Sequence, residues 1–182
     1  DEDLARNIRI NAARDLPWLS AQDAHGLKAI MVGGGPSAAD CLDEISALKA
    51  DGGVVFAMNA ASQWLRSHGI EPDYQVICDA KEETATLVDP RASAHLFASQ
   101  VNPATMDAVD YPVVWHLEIG EIEQHFPEAR RKRGGYVLLG GGASVGNSAM
   151  CAAYAMGFRD FHCFGYDSSH RGEASHAYDQ PM

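Results

Sequence analysis

Four polar residues and two glycine clusters stand where this chain could do chemistry. Gly33-Gly34-Gly35-Pro36-Ser37 follows the apolar run Lys28–Val32, and Gly140-Gly141-Gly142-Ala143-Ser144 follows a second apolar run at 136–139. A glycine-rich turn from strand to helix lets the backbone approach a ligand closely and aims unpaired helix N–H groups at it. The helix dipole attracts negative charge, so phosphate is the ligand such a turn suits best. Two such turns point to a nucleotide, or another phosphorylated small molecule, held between two half-sites. Ser37, Asn59, Asp79 and Asp167 each follow the end of an apolar run. In a parallel sheet those ends share one edge, where the four would converge on one crevice; taken singly, each also suits a helix cap or turn.

The segment after residue 165 is polar and carries Asp167, His170, Glu173, His176 and Asp179. Such a cluster can supply a general base, metal ligands or both, and His176 is the candidate base. A solvated histidine-rich loop is the plainer alternative, since no H-E-x-x-H or other metal-binding spacing is present. The other histidines are scattered and receive no role. Gly33, Gly35 and Ala38 also fit G-x-G-x-x-A, the dinucleotide fingerprint. That fingerprint wants an acidic residue at the end of the second strand, where this chain has Asn59. No Gly-Lys-Ser/Thr follows either cluster, which excludes a Walker-type loop. The basic run Arg130-Arg131-Lys132-Arg133 reads as a solvated turn, with a lid that meets phosphate as the alternative.

The elements that must position these residues follow from periodicity. Leu4, Ile8, Ala12 and Leu16 recur at helical spacing, and Pro17 is expected to end that helix. Strands are expected at Lys28–Val32, Val54–Met58, 74–78, Ala94–Ala98, Val113–Leu117, 136–139 and 161–164. Helices are expected at 38–49, 60–68 and 144–156, with Pro36 in a first turn, where its missing N–H costs nothing. Strands alternating with helices imply an α/β domain with a mainly parallel sheet. The expected organisation is a helical lead-in over 1–27 and a nucleotide-binding domain over 28–182 that continues beyond Met182.

The chain has 182 residues, 46% of them hydrophobic and 21% charged, which is ordinary for a globular protein. Its net charge of −11 argues against binding nucleic acid or an acidic membrane, both of which need clustered Lys and Arg. The four cysteines are widely spaced without a C-x-x-C pair, as in reduced cytoplasmic proteins. No stretch is long and apolar enough to span a bilayer. The pattern leaves a homo-oligomer open.

Several motifs jointly resemble the MptE-like domain of archaeal 6-hydroxymethylpterin diphosphokinases and bacterial motility accessory factors. They are Val32-Gly33-Gly34-Gly35-Pro36-Ser37, Ala57-Met58-Asn59-Ala60, and His68-Gly69-Ile70-Glu71-Pro72-Asp73 with Asp79. In the second half they are Gly142-Ala143-Ser144-Val145, Ala155-Met156-Gly157-Phe158, and Gly165-Tyr166-Asp167 with His176-Ala177. More distantly, the Gly-x-Gly-Pro-Ser turn, Asn59 and Ser175-His176-Ala177-Tyr178-Asp179 are similar to bacterial sialyltransferases that use a CMP-sugar. The resemblance implies an α/β, Rossmann-like three-layer domain of a nucleotide-binding transferase. It would be a diphosphokinase using Mg²⁺ and ATP or, alternatively, a glycosyltransferase-like domain with a CMP-linked donor. A non-catalytic nucleotide-binding module and a dinucleotide-dependent oxidoreductase are further alternatives. On the first reading Gly33, Gly34, Gly35, Pro36 and Ser37, with Gly141, Gly142 and Ser144, cradle phosphates. Asn59 meets base or ribose, Asp79 and Asp167 hold Mg²⁺, and His176 with Asp167 serves the chemistry.

Overall fold

Four of the apolar runs become strands buried on nearly every residue, as expected of parallel strands covered on both faces. The computed structural model describes residues 2–117, 138–140 and 144–179. The strands are β1 (Lys28–Val32), β2 (Val54–Met58), β3 (Tyr74–Ile77), β4 (Ala94–Ala98), β5 (Val113–Leu117), β6 (Leu138–Leu139) and β7 (Asp160–Phe164). They form one sheet in the order β6-β5-β4-β3-β2-β1-β7, and every pairing is parallel.

The period of two along each strand sorts the core into two layers. Ile30, Val32, Val55 and Ala57 face α2 (Leu42–Ala50) and α3 (Ala61–Ser67), packing with Ile45, Trp64 and Leu65. Ala29, Met31, Phe56 and Met58 face the other way, against Ala149, Ala152 and Ala153 of α5 (Val145–Ala155). The small side chains of α5 let that helix lie close to the sheet, where it touches β1, β2, β3 and β6. Helices on both faces of a parallel sheet make the three-layer α/β architecture that the alternation implied. A short α4 (Pro103–Asp107) and two 3₁₀ turns, Pro36–Cys41 and Glu82–Leu87, complete the set.

Two elements differ from expectation. The first helix, α1 (Glu2–Ala12), stops well before Pro17. Beyond it the backbone is claimed by β5: Val114 N donates to Pro17 O at 2.8 Å and Leu19 N to Val114 O at 2.8 Å. A segment hydrogen-bonded to a strand edge cannot also continue a helix. The helix expected over 38–49 begins instead as the 3₁₀ turn from Pro36, and becomes α-helical at Leu42. The remaining expected elements lie within one or two residues of their predicted bounds among the described residues.

Chain order reverses between β1 and β7. Such a switch opens a crevice at the carboxyl ends of the strands, where ligands bind in sheets of this kind. Gly33, Asn59 and Gly165 immediately follow the three strands that meet there.

Candidate functional site

The first glycine loop is filled mainly by this chain's own tail. Gly33 N donates to Phe164 O at 2.8 Å and Gly35 N to Gly165 O at 2.9 Å. Ser37 donates twice to Asp167, from its amide to Oδ2 at 2.9 Å and from its hydroxyl to Oδ1 at 2.6 Å. Ala177 N then returns to Gly34 O at 3.0 Å. A Cβ on Gly33 would stand 2.5 Å from Gly165 O, and one on Gly34 would stand 2.9 Å from both the His176 ring and the Tyr178 hydroxyl. One on Gly35 would run into the Asp167 carboxylate. The three glycines therefore accommodate the close approach of the residues after β7. In this structure few amides of residues 33–37, the expected phosphate cradle, are open to a ligand. Those of Gly33, Gly35 and Ser37 are already bonded and Pro36 has none, which leaves Gly34 N without a partner among the described residues.

The tail segment is strapped across this loop at further points. Arg171 forms a two-pronged ion pair with Asp40, and the Tyr178 ring lies 5.6 Å from that of Trp64. Ser168 holds a left-handed backbone, φ 44°, directly after Asp167 and turns the strap over the loop.

Between the strap, the glycine loop and α5 lies a cavity of about 390 Å³. One wall is the start of α5, with Ser144, Val145, Gly146 and Asn147 on the lining. The first intrahelical bond runs from Ser148 N to Ser144 O, 3.1 Å, so the amides of residues 145–147 have no acceptor within the helix. They give that wall the positive end of the helix dipole. Gly146 makes room for Tyr166, whose ring would lie 2.7 Å from a Cβ there and whose hydroxyl donates to Gly146 O at 3.1 Å. Burial pushes the Tyr166 hydroxyl pKa well above its ordinary range, so it remains a neutral donor.

Asn59 lines the cavity from the end of β2 with a left-handed backbone, φ 51°. Asparagine is among the few residues that adopt this conformation readily. Its Oδ1 is buried and has no hydrogen-bond partner among the described residues. His176 and Ser175 contribute from the strap, with His176 Nδ1 2.9 Å from Ser175 Oγ. That contact leaves Nε2 for other partners. Among the described residues no Asp, Glu, Lys or Arg lines the cavity.

The structure thus brings Gly33, Gly34, Gly35, Asn59, Ser144 and His176 to one cavity and places the carboxylates elsewhere. Asp167 stands behind the glycine loop with both oxygens bonded to Ser37. Burial raises its carboxyl pKa, but the two bonds from Ser37, its own backbone N–H and the charge of Arg171 together hold it below the ordinary value. Asp79 is exposed at the end of β3, where its Oδ1 accepts from Lys81 N at 3.1 Å. Among the described residues no group of three His, Cys, Asp or Glu side chains is placed to hold a metal ion. His170, Glu173 and Asp179 are exposed and off the lining. Gly141, Gly142 and the run 130–133 lie outside the described residues.

Sequence reasoning passed over Asn147, Gly146 and Ser168 as lining residues and gave Tyr166 no role of its own. A glycine in the first turn of a helix was the one available signal, because it marks a close neighbour.

No helix among the described residues is long and apolar enough to cross a membrane. No curated protein matches the chain. Among solved structures, the fold is similar to the MAf glycosyltransferase from Magnetospirillum magneticum AMB-1, with TM-score 0.73 and 23% identity. That alignment covers 99% of this chain and 29% of the other, so this chain spans less than a third of that protein. The family model described as "6-hydroxymethylpterin diphosphokinase MptE-like" matches residues 2–173. With nearly its whole length matched, including β1, the glycine loop, α5 and most of the strap, this chain belongs to the MptE-like family.

Proposed function

We propose that this chain is the donor-binding domain of a transferase that uses a phosphorylated nucleoside. One observation carries the reading. A cavity of mononucleotide size, about 390 Å³, pairs the start of α5, whose first amides have no acceptor within the helix, with Asn59, whose Oδ1 has no hydrogen-bond partner among the described residues. The α5 amides suit the donor phosphate, and Asn59 suits a donor group on the base or ribose.

Two donor chemistries fit the family, and the neutral lining favours a nucleotide-linked sugar over Mg²⁺-ATP. Diphosphoryl transfer relies on a cation to neutralise developing phosphate charge, and among the described residues no Asp or Glu lines the cavity to hold one. Glycosyl transfer can release a nucleotide phosphate stabilised by fixed backbone dipoles. In that reaction an acceptor hydroxyl attacks the anomeric carbon while His176 Nε2 takes its proton. The carbon–oxygen bond to phosphate breaks, and its electron pair leaves on the phosphate oxygen facing α5. The family description and the MAf glycosyltransferase neighbour are each compatible with group transfer from a nucleotide.

Titration calorimetry with CMP, a CMP-linked sugar and ATP, each with and without Mg²⁺, tests this. Metal-independent binding of CMP and its sugar, weakened about tenfold by Asn59→Ala, is the expected result. A Mg²⁺-dependent preference for ATP would move the function to diphosphoryl transfer. No binding to folded protein would overturn the nucleotide reading.

A further inference from the structure

A glutamine at the centre of an apolar parallel strand needs a reason. Gln75 is fully buried in β3, beside Ala57 of β2 and His95 of β4. An unsatisfied amide there would be costly, and this one is used completely. Nε2 donates to Asn59 O at 2.8 Å and to Leu87 O at 2.7 Å, while Oε1 accepts from Asp89 N at 2.9 Å. Asp89 is 1% exposed and in turn held by Ser62 Oγ at 3.1 Å, Arg66 Nε at 3.0 Å and Arg91 N at 3.1 Å. His95 Nε2 lies 2.8 Å from the Asp89 carbonyl and braces it from β4. The result is a buried relay from Arg66 through Asp89 and Gln75 to the backbone of Asn59.

Asn59 is where such a relay has work to do. Its φ of 51° lies in a region that L-residues keep only when their surroundings fix it. Its N–H donates to Val76 O at 3.0 Å and its carbonyl accepts from Gln75, so both backbone groups are tied to β3. With the peptide fixed on both sides, the side chain is committed to the cavity. We infer that Gln75 is a positioning residue: it locks Asn59 into the left-handed conformation that places its amide on the cavity wall. The inference rests on reading the cavity as a nucleotide site, and it predicts that Gln75 acts on ligand affinity through Asn59 alone.

A double-mutant cycle on the full chain tests it, with CMP as the calorimetric probe and melting temperature recorded in parallel. Gln75→Leu and Asn59→Gly are each expected to weaken CMP binding about five- to tenfold. In the Asn59→Gly background, Gln75→Leu should then change affinity by less than about twofold, while lowering the melting temperature as much as it does alone. An equal loss of affinity in both backgrounds would overturn the inference and leave Gln75 a purely structural residue. Should Gln75→Leu fail to fold, Gln75→Met keeps the length of the side chain but cannot donate to Asn59 O, and the same coupling is expected. A crystal structure of Gln75→Met adds a reading without ligand. Movement of residue 59 out of the left-handed region is expected, and an unchanged φ would sink the idea. If wild-type protein binds no CMP, the functional reading fails, while the φ of residue 59 still decides the role of Gln75.

Discussion

Asp167 and Ser37 are 130 residues apart in sequence and meet twice, hydroxyl to Oδ1 at 2.6 Å and amide to Oδ2 at 2.9 Å. The carboxylate caps the turn that starts at Pro36 and ties the strap to it. In this structure the residue expected to be a metal ligand and catalytic group anchors the strap behind the glycine loop.

Removing that anchor has a signature in pH. The folded carboxyl of Asp167 is held below its ordinary value, so its stabilisation is complete above the unfolded value near about 4 and is lost as pH falls through the folded one. Asp167→Asn should lower the melting temperature at neutral pH. It should also flatten the decline below about pH 4 relative to wild type. Calorimetric melts across that range make the check, and parallel profiles for the two proteins would contradict the anchor.

Gly35→Ala should expel the strap. Its Cβ would meet the Asp167 carboxylate and stand 2.7 Å from Gly165 O, with backbone on one side and an anchored side chain on the other. A loss of about 1–3 kcal/mol is expected by chemical denaturation. Gly26→Ala, with nothing within 4 Å of the added Cβ, should change stability by less than about 0.5 kcal/mol.

His176→Ala separates binding from chemistry. As general base, His176 should contribute about 10²–10⁴-fold to turnover at saturating donor, with donor affinity changed only slightly. Single-turnover rates with an assigned acceptor would show it. Unchanged rates would remove His176 from the reaction.

Asp89→Ala should be among the most destabilising single changes in the chain. It strips a 1% exposed carboxylate from Arg66, itself only 11% exposed, and leaves that guanidinium short of a partner. About 3–5 kcal/mol is expected, or a fall in melting temperature of about 10 °C. By contrast, Arg171→Ala breaks a solvent-exposed pair with Asp40 and should leave the melting temperature nearly unchanged.

The sequence alone carried the architecture because architecture is written in short periods. Apolar runs such as Lys28–Val32 and Val54–Met58, alternating with helical spacing, dictate parallel strands with helices on both faces. Parallel strands then place Gly33, Asn59 and Gly165 on one edge without further information. What those residues do there was decided by contacts that no local pattern encodes. Residues 33–35 are glycine because the segment after β7, about 130 positions later, presses against them. Asp79 and Asp167 looked equivalent as acidic residues after strands; one ended exposed on Lys81 N and the other bonded to Ser37. Gln75 reads as one polar residue in a strand until Asn59 and Asp89 are brought to its two ends. Side-chain period sets which face a residue takes, but its partner depends on how distant segments close on one another, and only the tertiary structure fixes that.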